Sequence, residues 1–64
     1  MTLTQFLAAL TNTTMVVTVL DAEGTELVKL YAAGYQQLLA TLLAKEVSEI
    51  TFVNQQAVTV KLAE

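Results

Sequence analysis

The densest group of acidic side chains in this sequence is formed by Asp21, Glu23 and Glu26. Carboxylate oxygens are ligands that Ca²⁺ favours, so three of them close together along the chain could hold a cation. Their spacing lacks the alternation of ligands that is typical of a calcium loop, and a solvated turn accounts for all three charges. We therefore expect no metal site here and interpret the group as an exposed turn.

Acid–base and nucleophilic catalysis have few candidate residues. Glu46 and Glu49 are close enough in sequence to act as an acid and a base, but no pocket-forming residues accompany them. Ser48 is the only serine, and the chain has neither histidine nor cysteine to activate it or to bind zinc. Gly24 and Gly34 are the only glycines, so there is no glycine-rich phosphate loop. We predict a protein that is not an enzyme and holds no cofactor.

Four aromatic side chains, at Phe6, Tyr31, Tyr35 and Phe52, raise the question of a platform for stacked bases. Such a platform needs surrounding cations, whereas the chain has only three basic residues and a net charge of −3. We therefore expect no direct contact with nucleic acid, and we predict that the aromatic rings pack in the core. The hydroxyls of Tyr31 and Tyr35 are candidates for a subunit boundary.

Helical segments are predicted at two places. Thr2 and Gln5 have the spacing of a capping box, which predicts a helix over residues 3–11. The turn-favouring residues 11–13 end it. Residues 34–45 carry apolar side chains at the spacing of one helix face, with Gly34 as the expected N-cap. We expect Leu39 and Leu42 of this central helix to be among the most buried side chains.

A first β-hairpin is predicted before the central helix, with strands at residues 14–20 and 25–31. Asp21 followed three residues later by Gly24 is typical of a type I turn closed by a glycine at positive φ. If Asp21 faces Thr25, then Val19 faces Leu27 and Val17 faces Lys29. Both faces of this hairpin are then at least half apolar, which indicates that both are covered.

A second hairpin follows the central helix, with strands at residues 48–53 and 57–62. A three-residue loop at 54–56 gives the most favourable cross-strand pairs. The pairs that this loop predicts are Phe52–Val58, Ile50–Val60, Thr51–Thr59 and Glu49–Lys61.

A helix that crosses between two hairpins in the usual right-handed sense places the first and last strands side by side and parallel. We therefore predict an α+β fold in which an N-terminal helix is followed by ββαββ. The four-stranded mixed sheet has the order 2-1-4-3 and packs on the central helix. This order resembles the β-grasp arrangement, in topology alone. Residues 1–64 are expected to form a single domain.

The composition predicts self-association. Hydrophobic residues make up 55% of the 64-residue chain against 14% charged, and the mean hydropathy is +0.58. A chain this short has too much surface for its volume to bury so much apolar area alone. We expect a homodimer in which an N-terminal stripe and a second sheet face meet a partner chain. The expected interface residues are Leu3, Phe6, Leu7, Leu10, Tyr31 and Tyr35.

Two functions are compatible with these features. The first is a small, non-catalytic, homo-oligomeric structural or interaction protein that presents a surface to a protein partner. The second is an acidic inhibitor of the phage type, a DNA-mimic decoy that binds a nucleic-acid-handling protein. No run approaches the ~18 apolar residues of a membrane span, and the N-terminal residues lack the cationic start of a signal peptide. We therefore expect a cytoplasmic protein that does not enter a membrane.

Overall fold

The computed structural model describes residues 1–12 and 14–63, so Thr13 of the expected turn and the carboxylate of Glu64 lie outside the described residues. Two α-helices, one 3₁₀ helix and four strands follow one another along this part of the chain. The elements are α1 (Leu3–Ala9), β1 (Val16–Leu20), β2 (Glu26–Tyr31), the 3₁₀ helix (Ala32–Gln37), α2 (Ala40–Leu43), β3 (Val47–Asn54) and β4 (Ala57–Leu62).

The four strands form one mixed sheet in the order β2-β1-β4-β3. β1 and β4 are parallel neighbours at the centre, and each hairpin is antiparallel. The predicted α+β class and the 2-1-4-3 order are therefore confirmed. β2 and β3 are therefore the two edge strands.

The predicted capping box begins α1. The amide of Gln5 donates to the Thr2 hydroxyl oxygen at 3.2 Å, and the Thr2 amide donates to Oε1 of Gln5 at 2.8 Å. These bonds satisfy two amides that the helix itself leaves without a partner. α1 ends at Ala9, two residues before the predicted end, because Leu10 is already in extended conformation.

The first hairpin has the predicted turn but a different register. Gly24 has φ of 90°, and its amide donates to the carbonyl of Asp21 at 3.0 Å. The predicted pairs Val19–Leu27 and Val17–Lys29 are wrong, because a β-bulge at Leu27 shifts β2 by one residue. Val28 therefore lies opposite Val19, and Leu30 lies opposite Val17. The shift has a clear physical consequence: Val28 and Leu30 face the core, and the ammonium of Lys29 stays on the other face.

The predicted central helix is wrong as a continuous element. A 3₁₀ helix begins at Ala32, before the expected N-cap Gly34, and the backbone then extends at Leu38 (ψ 155°) and Leu39 (ψ 140°) before α2. Because side chains alternate along extended backbone, these two leucines point in different directions. Leu38 packs against the core, whereas Leu39 is 74% exposed and Leu42 is only partly buried.

The second hairpin has the predicted pairs. Phe52 faces Val58, Ile50 faces Val60, Thr51 faces Thr59, and Glu49 faces Lys61. The loop is shorter than predicted, since Asn54 still pairs with Ala57 and the turn consists of residues 55 and 56. Val53 takes up the difference as a bulge in β3.

The core lies on one face of the sheet only. Along β1 and β4 buried residues alternate strictly with partly buried ones, so each strand turns one set of side chains towards the helices. The buried set consists of Leu3, Phe6, Leu7, Met15, Val17, Val19, Ala32, Val58, Val60 and Leu62. Within residues 1–12 and 14–63, no helix is long and apolar enough to span a bilayer, and α1, with seven residues, is the longest α-helix.

Candidate functional site

The acidic turn is built by one of its three carboxylates. Oδ1 of Asp21 accepts hydrogen bonds from the amides of Glu23 and Thr25, both at 2.9 Å. This carboxylate therefore holds the turn rather than pointing to a free ligand position. Among the described residues, no group of three acidic side chains is arranged so that it could hold a metal ion.

Two of the three residues considered for catalysis, Glu46 and Ser48, make hydrogen bonds within the fold. Oε2 of Glu46 accepts from the N-terminal ammonium at 3.0 Å, and Glu49 lies opposite Lys61. The Ser48 hydroxyl donates towards the carbonyls of Lys61 and Leu62 at 3.2 and 3.3 Å, beside a bulge of β3. The two glutamates and the serine therefore do not converge on a common point where a substrate atom could sit.

The helix-free face of the sheet, which we call the open face, is the largest feature that the core does not use. None of the β1 and β4 residues on it is buried. Its side chains form three rows across the four strands. One end row contains Tyr31, Val16, Ala57 and Asn54; the middle row contains Lys29, Thr18, Thr59 and Thr51; the other end row contains Glu26, Leu20, Lys61 and Glu49.

A depression of about 390 Å³ lies at the apolar end of this face, lined by Val16, Lys29, Leu30 and Tyr31. Its polar groups are one ammonium and one phenol. These lining residues include no carboxylate, and the chain has no histidine, so the depression lacks the groups that most often act as general bases. Its lining is mostly apolar, so the depression offers contact to an apolar group.

The structure separates the six residues expected at a subunit interface. Leu3, Phe6 and Leu7 are buried in the chain's own core, so they expose almost no surface to a partner. Leu10 and Tyr35 are partly buried against that core. Tyr31 is the only one of the six that is largely exposed, and it lies on β2 at the edge of the open face.

Three other apolar residues are exposed on the edge strands, and the sequence pattern did not identify them. Six large apolar side chains of the described residues are exposed, and four of these belong to β2 or β3. The four are Leu27, Tyr31, Phe52 and Val53. The strand order could have identified these residues, because a hydrophobic residue on an edge strand has a neighbouring strand on one side only and is therefore more exposed.

The fold and surface together define an α+β protein with a four-stranded mixed sheet, covered by helices on one face and open on the other. Comparison of the chain with models of protein families, with curated proteins and with solved structures gives no match. A function for this chain is therefore inferred from its own residues.

Proposed function

We propose that this chain is a small, non-catalytic, self-associating protein that presents the open face of its sheet to a protein partner. One observation carries the proposal: four of the six exposed large apolar side chains lie on the two edge strands, and one of them, Tyr31, lies at the edge of the open face. Scattered surface leucines would need no explanation, whereas apolar residues gathered along sheet edges favour contact with another chain.

The small size of the chain strengthens this proposal. A domain of this length has a core that supplies only ~3–5 kcal/mol of net stability. Here the core lies between the helices and one face of the sheet and consists of ten buried residues. Burying the exposed edge side chains against a second copy adds stability in proportion to the apolar area removed from water, at ~25 cal/mol per Å².

The partner surface is centred on Tyr31. Tyrosine combines a large apolar ring with a hydroxyl, and it is enriched among residues that dominate binding energy at interfaces. The depression next to Tyr31 can accept an apolar side chain of the partner, and the threonine row beside it offers hydroxyls for hydrogen bonds.

The decoy hypothesis has no comparable support among the described residues. Asp21, Glu23 and Glu26 lie at the β1–β2 turn and the start of β2, whereas Glu46 pairs with the N-terminus and Glu49 lies opposite Lys61. A decoy for a nucleic-acid groove needs carboxylates spaced along one surface like the phosphates of a duplex.

Self-association is tested by thermal unfolding at protein concentrations that differ by a factor of 100. Because only the folded state associates, the midpoint of a dimer rises with concentration, here by roughly 5–10 °C. A midpoint that stays constant over the whole range contradicts the proposal.

The partner surface is tested by capture from a cell extract with three immobilised proteins: wild type, Tyr31→Ser and Leu39→Ser. Leu39 is a matched control, since it is also exposed and apolar but lies between the two helical segments that follow β2. We expect the wild-type and Leu39→Ser proteins to capture a partner from the extract that the Tyr31→Ser protein does not capture. Equal capture by all three, or by none, counts against the open face as the binding surface.

A further inference from the structure

The outer edge of β3 is covered over part of its length only. The N-terminal residues pair with its beginning: the amide of Val47 donates to the carbonyl of Met1 at 2.8 Å, and the amide of Leu3 donates to the carbonyl of Lys45 at 2.9 Å. Beyond Val47, no strand of the described chain lies next to β3 on this side. The stretch Glu49–Phe52 is therefore a regular strand, bounded by bulges at Ser48 and Val53, with an open edge.

This open stretch is complementary to itself. A two-fold axis perpendicular to the sheet keeps the same face of both copies on the same side, so opposed residues must share a face. Ile50 and Phe52 share the helix-covered face, because they pair with the buried Val60 and Val58. With the axis at Thr51, each Thr51 lies opposite Thr51 of the other copy. Ile50 of each copy then lies opposite Phe52 of the other, which gives two such pairs.

Each of these opposed pairs is favourable in an antiparallel sheet. Pairs of an aromatic with a β-branched residue and pairs of threonines are both stabilising. Phe52 is 60% exposed in the single chain although it faces the helix side. Ile50 of a second copy supplies the neighbour that this ring lacks.

The other edge strand lacks this complementarity. Every two-fold axis within residues 28–31 keeps an edge lysine in the paired stretch, and an axis at Lys29 places its ammonium directly opposite its own copy, where like charges are unfavourable. The regular part of β2, which follows its bulge at Leu27, therefore carries a lysine, whereas the regular part of β3, Glu49–Phe52, carries none. Of the two edges, that of β3 is better suited to a second copy.

We propose that two copies of this chain pair through the β3 edges, antiparallel about Thr51, to form one continuous eight-stranded sheet. The proposal rests on the self-association proposed above and specifies its geometry. The helices of both copies lie on one face of the combined sheet, and the two open faces join into a single surface with a Tyr31 on each outer edge strand. A partner protein therefore meets both open faces on the same side of the dimer.

A disulfide at the axis is the first test. The chain has no cysteine, so Thr51→Cys introduces a unique thiol. Opposed residues of an antiparallel pair have Cα atoms ~4.5–5.5 Å apart, within the range that a disulfide spans. Thr41→Cys is the matched control, because Thr41 is also an exposed threonine but lies in α2, away from both sheet edges.

Under mild oxidation at micromolar concentration, we expect Thr51→Cys to form a covalent dimer at least about tenfold faster than Thr41→Cys. Equal rates for both variants, or faster crosslinking of Thr41→Cys, overturn the proposed pairing.

Two neighbouring substitutions then test which residues of the β3 edge face each other. Phe52 and Val53 are 60% and 63% exposed, so neither substitution removes a buried side chain. Phe52→Lys removes both Ile–Phe pairs of the dimer, and we expect it to weaken dimerisation by about tenfold or more. Val53→Lys, at the bulge beyond these pairs, is expected to change the dissociation constant by less than about threefold.

The outcomes also distinguish this inference from the proposed function. A wild-type dimer that Phe52→Lys leaves intact, or that Val53→Lys weakens as much as Phe52→Lys does, overturns the edge pairing and leaves self-association standing. A wild-type chain that stays monomeric overturns both proposals. Circular dichroism of each variant shows that it is folded before its dissociation constant is compared.

Discussion

At the scale of single residues, Leu7 and Leu39 show why the position of a leucine in the fold matters more than its place in a helical pattern. Leu7 is 2% exposed in the core, whereas Leu39 is 74% exposed. We expect Leu7→Ala to lower the free energy of unfolding by ~2–5 kcal/mol, through lost burial and a residual cavity. Leu39→Ala should change it by no more than ~0.5 kcal/mol.

Urea unfolding of both variants, followed by circular dichroism, measures this difference. If Leu39→Ala lowered the free energy of unfolding as much as Leu7→Ala does, residues 34–45 would form the continuous helix over the core that the sequence pattern indicates.

The residues considered for chemistry were partly predictable. The turn role of Asp21 follows from its spacing to Gly24, and the structure shows the two amides that it binds. The bonds of Glu46 and Ser48 were not predictable, because they join the N-terminus to a loop and a hydroxyl to the carbonyls of a neighbouring strand. Contacts between residues distant in sequence leave no periodic pattern in it.

At the scale of elements, the capping box is the clearest case in which local sequence determines local structure. Thr2→Ala removes the hydroxyl that accepts from the Gln5 amide. We expect a loss of ~0.5–2 kcal/mol in the free energy of unfolding. Thr41→Ala, an exposed threonine inside α2, is the matched control and should cost nothing measurable.

Chemical denaturation compares the two threonine variants. Identical midpoints for Thr2→Ala and wild type would show that α1 is positioned entirely by its buried residues and not by its cap.

The hairpins and the central segment differ in how far the sequence determines them. The second hairpin was predictable, because one register alone gave a set of favourable pairs. The first hairpin was not, since a bulge at Leu27 shifts the register in a way that alternation cannot reveal. In the central segment, Tyr35, Leu38 and Leu42 contact the core as a helix pattern would require, but through extended backbone at Leu38 and Leu39. The spacing of apolar residues indicates which side chains face the core, but more than one backbone conformation can place them there.

At the scale of the whole molecule, the two sheet edges are unequal, and in the proposed dimer this inequality stops further growth. If both edges paired about two-fold axes, copies would add alternately at β3 and β2 edges into an open sheet. Lys29 is the charge that opposes pairing at β2. We expect Lys29→Thr to form species larger than a dimer as concentration rises. Lys61→Thr, which removes a lysine from the same face but from the inner strand β4, should keep the wild-type size.

Light scattering over a concentration series checks this pair of variants. If Lys29→Thr and Lys61→Thr have the same size at every concentration, then Lys29 does not protect the β2 edge.

The central claim is that this chain does not act alone, and sedimentation equilibrium of the wild-type protein tests it most directly. The chain mass is 6.9 kDa. At micromolar concentration and above, we predict a folded species with twice this mass, in equilibrium with the single chain on dilution. A folded species of 6.9 kDa over the entire concentration range would contradict the claim.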